Sequence, residues 1–178
     1  MKARNALIVA AMLGAGAFAL SGCGGGSAAA GPCPKIGVLP DAADYPVQDA
    51  SGKLLALARL SVSNSACIYD KSQASSTGFS RVDFSIELTV TAVRAEGSLV
   101  DDIDVPVVVA TVSGDGVLTA RDDYEMNVEI DGRTGEKTQR LQIRIPYAGN
   151  GFASDHRVLA AFRLDERTVQ FNRSRLGR

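Results

Sequence analysis

Ser154, Asp155 and the single histidine, His156, are the residue types of a hydrolytic triad. Such a triad, however, draws its members from separate segments and lines up their side chains. Neighbours on an extended chain point to opposite faces, and the G-x-S-x-G turn that presents a serine nucleophile is missing. The three are read as loop residues. Carboxylates gather at Asp101, Asp102 and Asp104, and again at Asp122 and Asp123. These are the ligands Ca²⁺ prefers, but no EF-hand spacing accompanies them, and solvated acidic loops are the plainer expectation. A pair of acids for glycoside hydrolysis has to sit at a set separation in a cleft. Ten Tyr plus Phe and no Trp supply little for stacking against a sugar. No catalytic residue, metal ligand or cofactor is therefore assigned, and the chain is expected not to be an enzyme.

The last 24 residues carry six arginines: Arg157, Arg163, Arg167, Arg173, Arg175 and Arg178. Such an end suits anionic lipid headgroups, lipid A or an acidic partner. It equally suits a solvated edge strand followed by a basic tail, since charge discourages strand pairing.

Three cysteines remain to be placed. Lys2 and Arg4 open the chain, and Ala6 to Leu20 is an uncharged apolar run, the layout of a secretory signal. A membrane-spanning helix needs roughly twenty such residues, so an export leader over 1–22 is the better reading. Gly14, Gly16 and Ala19 imitate a dinucleotide fingerprint, but that motif needs a strand before it and a helix after it. Leu20-Ser21-Gly22-Cys23 resembles the bacterial lipobox. That resemblance implies cleavage before Cys23 and acyl chains, palmitate among them, on its thiol-derived glycerol and new N-terminus. Two or more chains hold a protein stably on a bilayer. By the sorting pattern of that class, Gly24 in place of Asp implies the outer membrane, with the domain facing the periplasm.

Removal of the leader leaves 156 residues, 17 basic and 20 acidic, for a formal charge of −3. That length suits one domain. The charge gives nothing to neutralise phosphates with, and nucleic acid is not an expected partner. Residues 24–31 are only Gly, Ser and Ala, a flexible coil, so a lipidated tether is expected over 23–32. No Lys-Ser/Thr follows to make it a phosphate loop. Cys33 and Cys67 then remain as a pair in a compartment that permits disulfides, and no C-x-x-C spacing offers a redox alternative.

Two-residue alternation dominates the rest. Val82, Phe84, Ile86, Leu88, Val90 and Ala92 share one face, with Asp83, Ser85, Glu87, Thr89 and Thr91 on the other, as in a half-buried strand. Tyr124 to Ile130, Arg140 to Ile145 and Val158 to Leu164 repeat the pattern. Shorter runs at Ile36 to Leu39, Leu54 to Val62, Ala66 to Tyr69, Val105 to Val112 and Val117 to Ala120 suggest further strands. Ser51-Gly52, Glu96-Gly97, Asp115-Gly116, Asp131-Gly132 and Gly149-Asn150-Gly151 mark turns. With no helical period of useful length, the expectation is an all-β antiparallel sandwich, immunoglobulin-like, of about eight strands over 33–172, followed by a basic tail over 173–178. From Asp165 to Asn172 two readings stand: Val169 and Phe171 suit a strand, and Asp165 could cap a short helical turn.

Cys33-Pro34 with Val38-Leu39-Pro40-Asp41-Ala42, Ser65-Ala66-Cys67-Ile68-Tyr69, Pro106 to Thr111 before Asp115-Gly116, and the ending Val158 to Leu164 followed by Phe171-Asn172-Arg173 resemble a family of bacterial outer-envelope lipoproteins. In that family two cysteines occupy these same places, which implies the same pairing. Ala161-Phe162-Arg163 stands where its usual members have Gly-Phe-Gln. The resemblance carries no activity over. The expected role is a membrane-anchored, non-enzymatic module that binds or scaffolds an envelope protein. The alternatives are a small-ligand or Ca²⁺ binder, or an enzyme acting on envelope polymers.

Overall fold

The computed structural model describes residues 28–29, 32–63, 66–70, 79–148 and 153–177. The leader 1–22, Cys23 and the turn at 149–151 lie outside the described residues. Those residues form ten strands: β1 (Ala28–Ala29), β2 (Lys35–Val38), β3 (Asp44–Gln48), β4 (Leu54–Ser63), β5 (Cys67–Asp70), β6 (Phe79–Arg94), β7 (Asp102–Val112), β8 (Leu118–Glu129), β9 (Thr134–Ala148) and β10 (Arg157–Phe162). One helix follows, α1 (Glu166–Arg175).

β6 is the centre of one sheet. Its alternation sends Val82, Phe84, Ile86, Leu88, Val90 and Ala92 inward, each 1 % exposed or less, because successive strand side chains face opposite ways. β9 pairs along one side of β6; β4 and β5 pair along the other, extended by β3 and β1 respectively. The second sheet runs β2-β10-β7-β8. From it Ile103, Val105, Val107, Val109, Met126, Val128, Val158, Ala160 and Phe162 complete the core. Each such fully buried branched or aromatic side chain stabilises by about 1.5–3 kcal/mol.

The all-β sandwich expected from the alternation is the one formed. β9 returns beside β6 after the β7-β8 hairpin, and β10 returns beside β7, two Greek-key crossings. All pairs are antiparallel except β2 with β10. The sandwich thus has a strand order of its own. Its hairpins turn where Asp-Gly predicts: Gly116 and Gly132 have φ of 86° and 61°, a region that side-chain-bearing residues avoid.

Three local features differ from expectation. β3 is a strand that the sequence obscures, because Pro46 interrupts its pattern; proline is tolerated there since β3 is an edge strand. Ala28–Ala29, inside the stretch expected to be a free tether, pair with Tyr69 and Asp70 of β5, adding a short strand to that side of the sheet. The final segment resolves in favour of the helix. Asp165 caps it, accepting from Thr168 N–H at 2.7 Å, and it continues through Arg175, so the basic tail expected from 173 begins inside a helix. No apolar period announces α1 because a polar residue seats it. Asn172, 4 % exposed, donates from its amide to the backbone carbonyls of Asp41 and Asp44.

The β4–β5 edge also changes phase. Ser63 lies opposite Glu87 and Cys67 opposite Phe84, so this side advances four positions while β6 advances three. That difference of one residue in register exchanges the two faces. Ala56, Ala58 and Leu60 are buried at even positions; Cys67 and Tyr69 are buried at odd ones.

Candidate functional site

That phase change positions the first of the expected pairs. Cys67, turned inward, bonds Cys33 with an S–S distance of 2.08 Å and Cα atoms 5.6 Å apart. Two residues on, the fully buried Tyr69 donates its hydroxyl to Pro32 O at 2.5 Å and accepts from Ala153 N–H at 3.1 Å. The disulfide and the phenol together clamp the start of the domain.

Ser154, Asp155 and His156 lie in and beside one short 3₁₀ turn, Ala153–Asp155. The imidazole Nδ1 meets Asp155 Oδ1 at 3.1 Å, and among the described residues no hydrogen bond joins Ser154 to His156. Asp155 fills the space above Gly114, where a Cβ would come within 2.8 Å of its Oδ2. Across that turn, Asp115 accepts from Ser113 Oγ. That hydrogen bond is the main reason its carboxyl sits below the usual value.

The acidic residues are distributed over β7, β8 and the residue before β7. Asp101 pairs with Arg94 at 3.1 Å. Asp102 and Asp104 share the Asn127 amide at 3.0 and 2.9 Å. Asp123 is flanked by Arg121 at 3.3 Å and Arg163 at 3.6 Å. Among the described residues no three His, Cys, Asp or Glu side chains converge as metal ligands would.

The arginines divide into two sets. Arg173 is taken up by Asp41 at 2.8 Å. Arg167 and Arg175, by contrast, are held in no ion pair among the described residues, and with Phe171 they form one stripe of α1. Positions four apart on a helix lie on the same face. Arg175 stands over the Phe171 ring, 5.8 Å from its centroid, a cation–π geometry. Opposite this stripe are Pro46 of β3 and Leu54 and Leu57 of β4, and the space between helix and sheet is a cleft of about 510 Å³. Phe171 is 54 % and Leu54 41 % exposed, so large apolar side chains face water on both walls. Asp165 closes one end with its carboxyl below the usual value, chiefly through the Thr168 backbone N–H and hydroxyl and less through Arg167.

No protein-family model, curated protein or solved structure matches this chain. The cleft escapes a reading of the sequence because its walls are over a hundred residues apart in the chain. One signal was present: Arg167, Phe171 and Arg175 recur at helical spacing, legible once the segment is known to be a helix. Cys23 lies outside the described residues. Among those residues no helix is long and apolar enough to cross a membrane.

Proposed function

We propose that this chain is a bacterial lipoprotein, cut before Cys23 and held by acyl chains, palmitate among them, on the outer membrane facing the periplasm. There it works without catalysis as a module that binds or scaffolds another envelope protein. The lipobox Leu20-Ser21-Gly22-Cys23 and the Gly/Ser/Ala stretch behind it support the anchor. The protein-binding role is carried by one observation, the exposed Phe171 and Leu54 facing each other across a cleft. Exposed large apolar groups gathered in one place, with charge at the rim, suit an interaction site.

Labelling cells with a fatty-acid analogue and fractionating their membranes tests the anchor. The native protein should take up label and sediment with outer membrane, and Cys23→Ser should abolish both. Retained label in that variant would sink the assignment. Crosslinking in cells followed by mass spectrometry tests the module and should recover a repeatable envelope partner; repeated failure at native abundance would remove the binding role.

A further inference from the structure

The cleft between α1 and the β3–β4 edge has a charge pattern and a length that specify what fits it. Arg167, Phe171 and Arg175 occupy successive turns of one helix face. Eight helical residues at about 1.5 Å each place the two guanidinium-bearing positions about 12 Å apart along the axis. An extended chain covers about 13 Å in four residues, and residues i, i+2 and i+4 share a face. Two acids four apart, with an apolar side chain midway, would reach Arg167 and Arg175 while the middle residue enters the space between Phe171, Leu54 and Leu57.

The local chemistry favours such a segment. Arg167 and Arg175 are unpaired among the described residues, while Arg173 on the neighbouring face is neutralised by Asp41. The carboxylate at the cleft end, Asp165, is committed to the Thr168 N–H. Pro46 and Leu57 are half-buried at the floor, recessed between helix and sheet, a shape suited to a side chain more than to a flat layer of headgroups.

We infer that the cleft receives an extended segment of a partner protein with the pattern acid, any residue, large apolar, any residue, acid. This inference rests on the protein-binding role proposed above and adds the chemistry of the partner.

The test is fluorescence anisotropy with the full chain in detergent and labelled Ser/Thr peptides containing Asp-x-Leu-x-Asp. Binding should saturate, weaken with salt, and fall by about tenfold or more in R167E/R175E. A Lys-x-Leu-x-Lys peptide should recover binding to that variant, and an Asp-x-Leu-Asp peptide should bind the native chain about tenfold less well. Leu54→Thr, on the sheet wall, provides a variant that leaves the helix intact and should also weaken binding. Equal binding of both acid spacings, or unchanged binding in R167E/R175E and Leu54→Thr, overturns the inference. So does arginine-dependent capture by phosphatidylglycerol vesicles with no saturable peptide signal. If crosslinking recovers a partner equally well with R167E/R175E, this inference fails while the protein-binding role stands; recovery of no partner at all removes that role itself.

Discussion

Asn172 of α1 reaches across the fold to two backbone carbonyls, donating to Asp41 O at 3.1 Å and to Asp44 O at 2.9 Å. These bonds hold the helix against the start of β3, and so fix the helix wall of the cleft. Asn172→Ala would take the amide donor away from two partly buried carbonyls, at about 1–3 kcal/mol. We expect a lower melting temperature and faster proteolysis within 166–175. An unchanged melt and digestion pattern would show that α1 is held by something else.

The Tyr69 hydroxyl links Pro32 to Ala153. Tyr69→Phe keeps the buried ring and removes only the oxygen, leaving one carbonyl and one N–H unsatisfied; the expected loss is about 1–3 kcal/mol. Urea unfolding should show a lower midpoint with the same slope, since the surface exposed on unfolding hardly changes. A midpoint equal to the parent's would mean water replaces the phenol fully.

Cys33 and Cys67 are 34 positions apart. Closing a loop of that length restricts the unfolded chain by about 3 to 4 kcal/mol on the entropy model. The C33S/C67S chain should therefore unfold at lower denaturant while keeping its β-rich circular dichroism. Stability equal to the oxidised parent would contradict the loop-closure account.

Three exposed carboxyls, Asp49, Asp115 and Asp165, sit below their ordinary value of 3.8, each mainly because a hydrogen bond favours the ionised form: from the Ser51 hydroxyl, the Ser113 hydroxyl and the Thr168 backbone N–H. A carboxyl whose folded pKa is depressed stabilises the fold above its unfolded pKa, and that stability is lost as pH falls through the folded pKa. Melting temperature should therefore decline on the acid side of 3.8 and be insensitive to these groups near neutrality. A D49N/D115N/D165N chain should show a shallower acid decline; an identical decline would assign the effect to other groups.

Much of the sandwich was legible because burial on one face of a sheet writes itself as strict alternation. Val82 to Ala92 required no structure to be recognised as a core strand. β3 was not legible, since Pro46 is a breaker in any local reading and is tolerated because, among the described residues, no strand pairs on its outer side. Helix α1 was ambiguous for a related reason: Asn172, its seat, is polar, and an apolar stripe is the signal by which helices are usually found. The cleft was illegible because Leu54 and Phe171 come to line it only through the packing of separate elements.

What the linear chain determined alone was therefore local: which residues alternate, where Asp-Gly turns fall, and that Cys33 and Cys67 were left to pair. The tertiary structure decided everything that depends on phase and proximity. The one-residue difference in register between Ser63 and Cys67 exchanges the faces on that side of β6 and turns Cys67 and Tyr69 inward, and two hydrogen bonds donated by the Asn172 amide set a cationic helix face over an apolar strand edge. Alternation encodes which side chains share a face, but a one-residue shift in pairing or a single long-range hydrogen bond is defined only between strands and helices already assembled.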